Sequence, residues 1–284
     1  EKVSQMMNAA APIERLGVPV YDWWNEALHG VARAGYATVF PQAIGLAATW
    51  DEDLIRRVAD VVSTEARAKH EEFARQNDRG RYKGLTFWSP NINIFRDPRW
   101  GRGMETFGED PYLTSRIGVA YVKGLQGDDP RYLKVVSTPK HYAVHSGPEP
   151  ERHGFDAVVS ERDLQETYLP AFRATITEGK AEGIMCAYNR TNGEPCCANK
   201  KLYDILRGEW GFKGHVVSDC GAIDDIYKFH HFAKTVGEAS AISVKAGTDL
   251  TCGGEYRSLL QAVKNGLITE AGISTAVKRL MRTR

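Results

Sequence analysis

Short apolar runs alternate with helix-like segments along this chain, and the alternation is the feature that most restricts its fold. About six or seven such runs read as strands, and polar residues cluster at the carboxyl end of each. Strands and helices that alternate at this spacing predict parallel βα units. An α/β fold of the (β/α)8 TIM-barrel type, with an irregular or incomplete start, fits this pattern better than a doubly wound sheet. No Gly-x-Gly-x-x-Gly follows a strand and no P-loop is present, so nucleotide-binding folds lose support.

The clearest helix covers residues 51–75, where apolar residues recur at helical spacing behind a cap at Thr49 or Asp51. A second start signal is the capping box that opens with Ser160, whose hydroxyl and a following carboxylate can satisfy free backbone N–H groups. The other expected helices cover about residues 1–15, 112–125, 160–178, 199–210, 255–264 and 269–283, and a short strand is expected at 248–250.

Bulk composition restricts the class of protein. The 284 residues are 42% hydrophobic and carry a formal net charge of +1. That length suits one large domain with a substantial core. The near-neutral balance argues against a nucleic-acid partner, and no apolar stretch approaches the length of a membrane span, so no membrane partner is expected.

The five cysteines all lie in the second half of the chain, and none forms a Cys-x-x-Cys pair. A zinc ribbon or a thioredoxin-like motif is therefore excluded. Buried free thiols are the expected state. One or two disulfides would instead indicate an exported protein. The five positions are Cys186, Cys196, Cys197, Cys220 and Cys252.

Two strand-like runs deliver charged residues to their carboxyl ends, where parallel α/β folds build their sites. Val216-Val217 leads into Ser218-Asp219, and the Asp219 carboxylate could be a nucleophile, a base, a metal ligand or a helix N-cap. The run before Lys140-His141 delivers a lysine that could form a Schiff base if burial lowered its pKa. It could equally donate hydrogen bonds to substrate hydroxyls.

Aromatic and charged stretches add further candidates. Trp23 and Trp24 beside Glu26 would suit a sugar, whose C–H face stacks on aromatic rings, or the two rings could simply pack in the core. The segment 89–111 is too long and too rich in Arg, Asp and Gly for an ordinary linker. We expect it to form a rigid loop that combines structural salt bridges with one arginine directed into a pocket.

Five motifs together resemble the N-terminal barrel domain of glycoside hydrolase family 3, in the family's order, over residues 1–284. They are Trp-Asn-Glu-Ala-Leu-His-Gly from Trp24, Asp-Pro-Arg-Trp-Gly-Arg-Gly-Met-Glu-Thr-Phe-Gly-Glu-Asp-Pro from Asp97, Lys-His-Tyr from Lys140, Cys-Ala-Tyr-Asn-Arg-Thr-Asn-Gly from Cys186, and Gly-x-Val-Val-Ser-Asp from Gly214. Glu26 and Ser-Asp-Cys resemble the β-xylosidase branch, because many β-glucosidases of the family have Asp and Ser-Asp-Trp there.

The resemblance implies a retaining exo-β-glycosidase, with β-xylosides as the expected substrates, that forms a covalent glycosyl-enzyme on Asp219. It implies that Glu26 accepts hydrogen bonds from sugar hydroxyls and that cationic or imidazole groups donate to them. Tyr188 matches a tyrosine near the nucleophile, and Cys220 occupies the next position. Trp88 and Arg152 are placed by motif context, and His215 departs from the mostly apolar or aromatic residue of the family. The donors are Arg102, Lys140 and His141.

The family's general acid/base is usually a Glu of a C-terminal domain, and no carboxylate of this chain matches it. His153 superficially resembles the histidine of a dyad in an N-acetylglucosaminide branch, although its loop is more similar to the xylosidase loop. The alternatives are a β-glucosidase of the same family, an isolated sugar-binding barrel that lacks its acid/base, and a Schiff-base lyase using Lys140. The resemblance implies no metal or organic cofactor, an oligosaccharide or aryl glycoside substrate, and a C-terminal partner domain. Periplasmic or secreted localisation is favoured over cytoplasmic.

Overall fold

The computed structural model describes residues 1–284 and confirms the α/β class. Ten strands of two to four residues are β1 Ala9–Ala10, β2 Tyr21–Asp22, β3 Thr86–Phe87, β4 Val136–Ser137, β5 Lys140–Tyr142, β6 Asp156–Ala157, β7 Gly183–Cys186, β8 Arg190–Thr191, β9 Glu194–Pro195 and β10 His215–Ser218. The α-helices are α1 Ala43–Ala47, α2 Glu52–Arg75, α3 Pro111–Gln126, α4 Glu161–Asp163, α5 Pro170–Thr177, α6 Lys200–Tyr203, α7 Ala222–Lys228, α8 Val236–Ala246, α9 Leu259–Lys264 and α10 Glu270–Thr283. Helical turns of π type at Leu164–Tyr168 and Asp204–Glu209 continue α4 and α6.

The strands form four short sheets and no closed barrel. The central sheet is parallel in the order β10-β7-β5, and β3 pairs with β4 in parallel. Isolated parallel bridges join Asn25 to Phe87, Asn91 to Lys140 and Val217 to Leu250. The parallel arrangement brings the carboxyl ends of β5, β7 and β10 to one edge, where Tyr142, Cys186 and Ser218 lie.

The long helices begin where the sequence predicts them. The Asp51 carboxylate accepts a hydrogen bond from Leu54 N at 2.9 Å and caps α2, and Ser160 caps α4 by accepting from Asp163 N at 3.0 Å. Gly124 of α3 faces α2 so closely that a Cβ there would lie 2.4 Å from the carbonyl oxygen of Arg56. A glycine is therefore required for these two helices to pack at their observed separation. No helix combines the length and the apolar character needed to cross a membrane.

The prediction of a helix over residues 1–15 was wrong. Only the single 3-10 turns Val3–Gln5 and Glu14–Leu16 form there, and β1 pairs antiparallel with β2. Tertiary pairing overrides helix propensity because Thr251 N donates to the Met6 carbonyl and Trp23 N donates to that of Asn8. The strand expected at 248–250 is likewise reduced to a bridge at Leu250.

The expectation of free thiols was also wrong for four of the five cysteines. Cys186 is bonded to Cys197, and Cys220 is bonded to Cys252, while Cys196 is free and buried. The partners are separated by 11 and 32 residues, and only the fold brings them together. Cys186 ends β7 and Cys220 lies two residues beyond the end of β10. Both disulfides therefore restrain the chain where neighbouring strands end, at the same edge of the sheet.

A buried ion cluster anchors β10 to the helices around it. Asp249 is 1% exposed and accepts hydrogen bonds from Arg207 Nη2 at 2.8 Å and from Arg279 Nη1 at 2.9 Å. The same carboxylate accepts from the backbone N–H of Val216 at 2.9 Å. Burial raises the pKa of Asp249, and the two guanidinium groups oppose that rise. The cluster thus links α10 and the turn before β10 to the strand itself.

His215 opens β10 as a buried neutral histidine, and we expect the change His215→Phe to reduce the acid sensitivity of the fold. Burial, assisted by the charge of Arg207, lowers the pKa of His215 to about 3. When the pH falls below the ordinary pKa of histidine, the unfolded chain binds a proton at this residue and the folded chain does not. The folded state therefore loses stability progressively until about pH 3. From about pH 7.5 to about pH 5, one such histidine costs the folded state roughly 2 kcal/mol.

The measurement is the thermal midpoint of the wild type and the variant at both pH values. On acidification the thermal midpoint of the variant should fall by about 4 °C less than that of the wild type, because a phenylalanine takes up no proton. Its ring can keep the contact with Trp23, whose ring centroid lies 5.0 Å away. Equal acid-induced shifts in the two proteins would contradict the assignment.

Candidate active site

Asp219 lies directly after β10 with one carboxylate oxygen engaged and the other free. Oδ1 accepts from the backbone N–H of Cys220 at 2.8 Å. Oδ2 is buried and accepts no hydrogen bond from the protein. The chain then turns at Gly221, with φ of 84°, and enters α7 with Gly221 as its cap residue. Asp219 is therefore not the N-cap of that helix, and its free oxygen is available for chemistry.

A largely buried ion pair joins Lys140, the first residue of β5, to Glu26 in the segment after β2. Lys140 Nζ is 3.2 Å from Glu26 Oε2, and the indole N–H of Trp24 donates to Glu26 Oε1 at 2.8 Å. Trp88 stacks on Trp24 with ring centroids 5.5 Å apart. Because Trp88 and Trp23 are both almost fully buried, they pack in the core, and only Trp24 contacts the carboxylate. Lys140 Nζ is thus held by a carboxylate, an arrangement that suits a hydrogen-bond donor in the wall of a polar site.

Arg102 projects from the long charged loop into the same region. It forms a close ion pair with Glu105, with Nη2 2.6 Å from Oε2, and its Nη1 lies 3.1 Å from His141 Nε2. Burial lowers the pKa of Arg102, but Glu105 first, and then Asp219 and Glu26, outweigh burial and raise the pKa overall. Burial likewise raises the pKa of Glu105, but Arg102 more than reverses this and leaves the pKa lowered. Glu105 is thus held ionised and cannot serve as a general acid near neutrality.

His141 is a neutral imidazole whose tautomer follows from its neighbours. The side-chain oxygen of Asn93 accepts from the His141 backbone N–H at 2.8 Å and lies 2.8 Å from Nδ1, so Nδ1 carries the proton. Nε2 then accepts from Arg102 and lies 3.5 Å from Asp219 Oδ2. Burial, followed by the charge of Arg102, lowers the pKa of His141 well below its ordinary value. His141 adds no positive charge next to Asp219.

Tyr188 completes the surroundings of Asp219 two residues beyond the end of β7. Burial first, and then the adjacent Asp219 charge, raise the pKa of the phenol, so the phenol keeps its proton. Cys220, the residue after Asp219, lies in the disulfide with Cys252. That covalent bond restrains the backbone that carries the carboxylate.

The predicted substrate-binding residues Glu26, Arg102, Lys140 and Arg152 line one cavity of about 410 Å³. Arg152 is held by Glu149, and its Nε is buried without a partner. Glu105 also lines this cavity. His141 and Tyr188 lie instead beside Asp219. A larger depression of about 670 Å³ on the outer surface, lined by side chains such as Tyr112 and Arg173, contains none of the predicted residues.

Three site members were missed by sequence reasoning. Glu105 belongs to the loop 89–111, for which the sequence predicts only unspecified salt bridges, although its spacing of three residues from Arg102 is a usable signal. Asn93 orients His141, and Asn91 Nδ2 lies 3.4 Å from Glu105 Oε2. An amide in an extended segment carries no such signal, because its partners come from distant strands.

Comparison with known proteins decides the family. A family model described as the glycosyl hydrolase family 3 N-terminal domain matches residues 1–283. The chain belongs to this family. It is 47% identical over 291 residues to a xylan 1,4-beta-xylosidase of Xylanibacter ruminicola, covering 100% of this chain and 34% of that protein.

Solved structures of family 3 enzymes match the fold closely. A GH3 exo-beta-xylosidase in complex with a xylobiose aziridine activity-based probe aligns with a TM-score of 0.91 at 38% identity, over 99% of this chain and 38% of that one. A beta-glucosidase from Listeria innocua in complex with glucose aligns with a TM-score of 0.82 at 34% identity, over 95% of this chain and 35% of that one. The chain thus spans little more than a third of the length of these relatives, as expected where a further domain accompanies this one.

Proposed function

We propose that this chain is the nucleophile-bearing domain of a retaining exo-β-glycosidase that acts on terminal β-xylosides. The observation that carries the proposal is the buried, unpartnered Asp219 Oδ2 directly after β10. It lies 3.5 Å from His141 Nε2, which in turn lies 3.1 Å from Arg102 in the wall of the cavity. A carboxylate oxygen with no competing hydrogen bond is ready to attack an electrophilic carbon. The other carboxylate oxygen, fixed by Cys220 N, sets the direction of attack.

In the first half of the proposed reaction, Oδ2 forms a bond to the anomeric carbon while the bond from that carbon to the leaving-group oxygen breaks. Positive charge develops on the sugar ring and is opposed by the Asp219 carboxylate. A proton must reach the leaving oxygen. In the second half, water attacks the anomeric carbon, loses a proton to a base and releases Asp219, so the configuration at that carbon is retained.

The surrounding side chains would bind the sugar hydroxyls. Glu26 offers acceptor oxygens that Lys140 and Trp24 already orient, and Arg102 and Lys140 offer donors. These groups are charged and partly desolvated, so each hydrogen bond to a hydroxyl is stronger than a neutral one. Arg152 faces the same cavity from the loop at 149–152.

The general acid/base is proposed to come from a C-terminal domain of the native protein. Within this chain Glu105 is ionised by Arg102, and Glu149 is paired with Arg152. Without an acid, expulsion of a poor leaving group should be slower by roughly 10²–10⁴-fold. Hydrolysis of activated aryl glycosides, whose leaving groups need little protonation, should slow less when the acid is absent.

The xyloside preference and the setting of the protein are proposals as well. Relatives named β-xylosidases at 43–47% identity support xylosides over glucosides. Two disulfides support export from the reducing cytosol. Isolated parallel bridges extend the central sheet on both sides, which supports a (β/α)8 barrel as the architecture to which these short strands belong.

Covalent labelling tests the function directly. The native full-length protein is incubated with a 2-deoxy-2-fluoro-β-xyloside that has an activated leaving group, because the fluorine slows release of the glycosyl-enzyme more than its formation once the leaving group is good. We expect the mass to rise by one fluoroxylosyl unit, located on the peptide that contains Asp219. The corresponding fluoroglucoside should label more slowly. An unlabelled protein, or a label on another residue, would refute the proposal.

A further inference from the structure

A histidine–aspartate pair outside the cavity contacts the tyrosine beside the nucleophile. His153 Nδ1 lies 2.8 Å from Asp225 Oδ2, and the two residues come from different elements, the loop before β6 and helix α7. The Asp225 side chain is 4% exposed, whereas that of His153 is 47% exposed. A carboxylate buried this deeply needs a partner, and His153 is its side-chain partner.

The imidazole of His153 packs edge-on against the ring of Tyr188, with centroids 4.9 Å apart. Tyr188 itself is 8% exposed, so His153 is the more solvent-exposed member of this ring contact. His153 also contacts the half-exposed ring of Phe229, directly after α7, with ring centroids 5.6 Å apart. Without its bond to Asp225, nothing but these ring contacts would keep His153 from turning towards water.

Helix α7 also holds Tyr188 through the backbone. His230, two residues after the helix, lies with Nε2 2.8 Å from the Tyr188 carbonyl oxygen. Burial lowers the pKa of His230, so it is neutral and donates through Nε2–H. The same segment begins at the nucleophile, because Ala222 N donates to the Asp219 carbonyl oxygen at 3.0 Å. These contacts link the nucleophile through α7 and the His153–Asp225 pair to Tyr188, whose phenol is itself a neighbour of Asp219.

We infer that the His153–Asp225 pair is a positioning device that keeps Tyr188 seated against Asp219 and shields that contact from water. The inference rests on the proposed function, since it concerns the nucleophile of that reaction. Charges near the pair are Asp219 and Asp224, and burial raises the pKa of Asp225 to about 6 in spite of His153.

The test uses the native full-length protein and measures the rate constant of labelling by the fluoroxyloside, which reports formation of the glycosyl-enzyme alone. The variants are Asp225→Ala and His153→Phe, each made also in a Tyr188→Phe background. The Phe ring preserves packing on Tyr188 but removes the bond to Asp225. His153→Asn is the rescue variant, because its amide N–H can replace Nδ1–H as a donor. Asp224→Asn, one residue away and ion-paired with the exposed Lys228, is the matched control.

We expect Asp225→Ala and His153→Phe to slow labelling by about tenfold to a hundredfold, with partial recovery in His153→Asn and no change in Asp224→Asn. In the Tyr188→Phe background the same changes should slow labelling by a further factor of less than about three, because the pair acts through Tyr188. Equal effects in both backgrounds, or none in either, would overturn the inference. Because His153 is half exposed, its variants decide the question even if Asp225→Ala fails to fold. An unlabelled wild type would instead refute the proposed function itself.

Discussion

Replacing Asp219 with alanine should reduce hydrolysis of aryl β-xylosides by the native protein by at least about 10⁴-fold. The carboxylate supplies both the attacking oxygen and the negative charge that opposes the developing charge on the sugar ring. No other carboxylate can substitute, because Glu26 and Glu105 are engaged with Lys140 and Arg102. The measurement is kcat with an activated aryl β-xyloside, so that the effect concerns the nucleophile rather than the acid.

Chemical rescue distinguishes a lost nucleophile from a damaged fold. The alanine variant leaves space at the position of Oδ2, and azide at high concentration should occupy it and attack the anomeric carbon. The expected product is the α-xylosyl azide, of inverted configuration, since only one displacement then takes place. Asp224→Asn should keep wild-type activity and form no azide adduct. Wild-type turnover by Asp219→Ala would disprove the role of this residue.

The parts of the fold that sequence predicts well are those that depend on local chemistry. Helices α2 and α3 carry their own caps, Asp51 and Asp110, and an apolar face at helical spacing. The polar ends of the strand-like runs predict which side chains meet at one edge, and Asp219, Lys140 and His141 do lie there. Each of these signals is complete within about ten residues of chain.

The parts that sequence predicts poorly depend on contacts between distant segments. The first residues have a helix-like pattern, yet the carbonyls of Met6 and Asn8 accept hydrogen bonds from the backbone N–H groups of Thr251 and Trp23, respectively. No local sequence pattern predicts those partners. The disulfide between Cys220 and Cys252 joins residues 32 apart, and composition alone gave no pairing. The closed barrel was predicted from the count of runs, whereas strands of two to four residues pair in separate short sheets.

The site shows the same division. Motif resemblance predicts the charged residues that line the cavity, but it does not predict the groups that orient them. Asn93 fixes the proton of His141 only because the loop 89–111 folds back on β5, whereas Glu105 holds Arg102 from three residues away within that loop. The state of His141 also follows from burial rather than from residue type, since an exposed histidine in the same motif would titrate near neutrality.

Replacing Asp249 with alanine should produce the largest loss of stability expected from a single change outside the site. The carboxylate compensates two guanidinium groups, those of Arg207 and Arg279, and also binds the backbone N–H of Val216. Its removal leaves positive charges facing each other in a poorly solvated region, a situation that typically costs about 3–5 kcal/mol. For a chain of this size the thermal midpoint should fall by roughly 10 °C.

The matched control is Asp128→Ala, which removes a carboxylate bonded to Arg56 on the surface at 2.6 Å. Asp128 is 80% exposed on its side chain, so its loss should cost less than about 1 kcal/mol. Pairing Asp249→Ala with Arg279→Ala should recover part of the loss, because one uncompensated charge disappears with its partner. Similar midpoints for the Asp249 and Asp128 variants would show that the buried cluster does not hold β10. If the buried cluster does hold β10, the Asp249 variant should still be labelled at Asp219 while it is folded. Labelling should disappear only at the temperature where the variant unfolds.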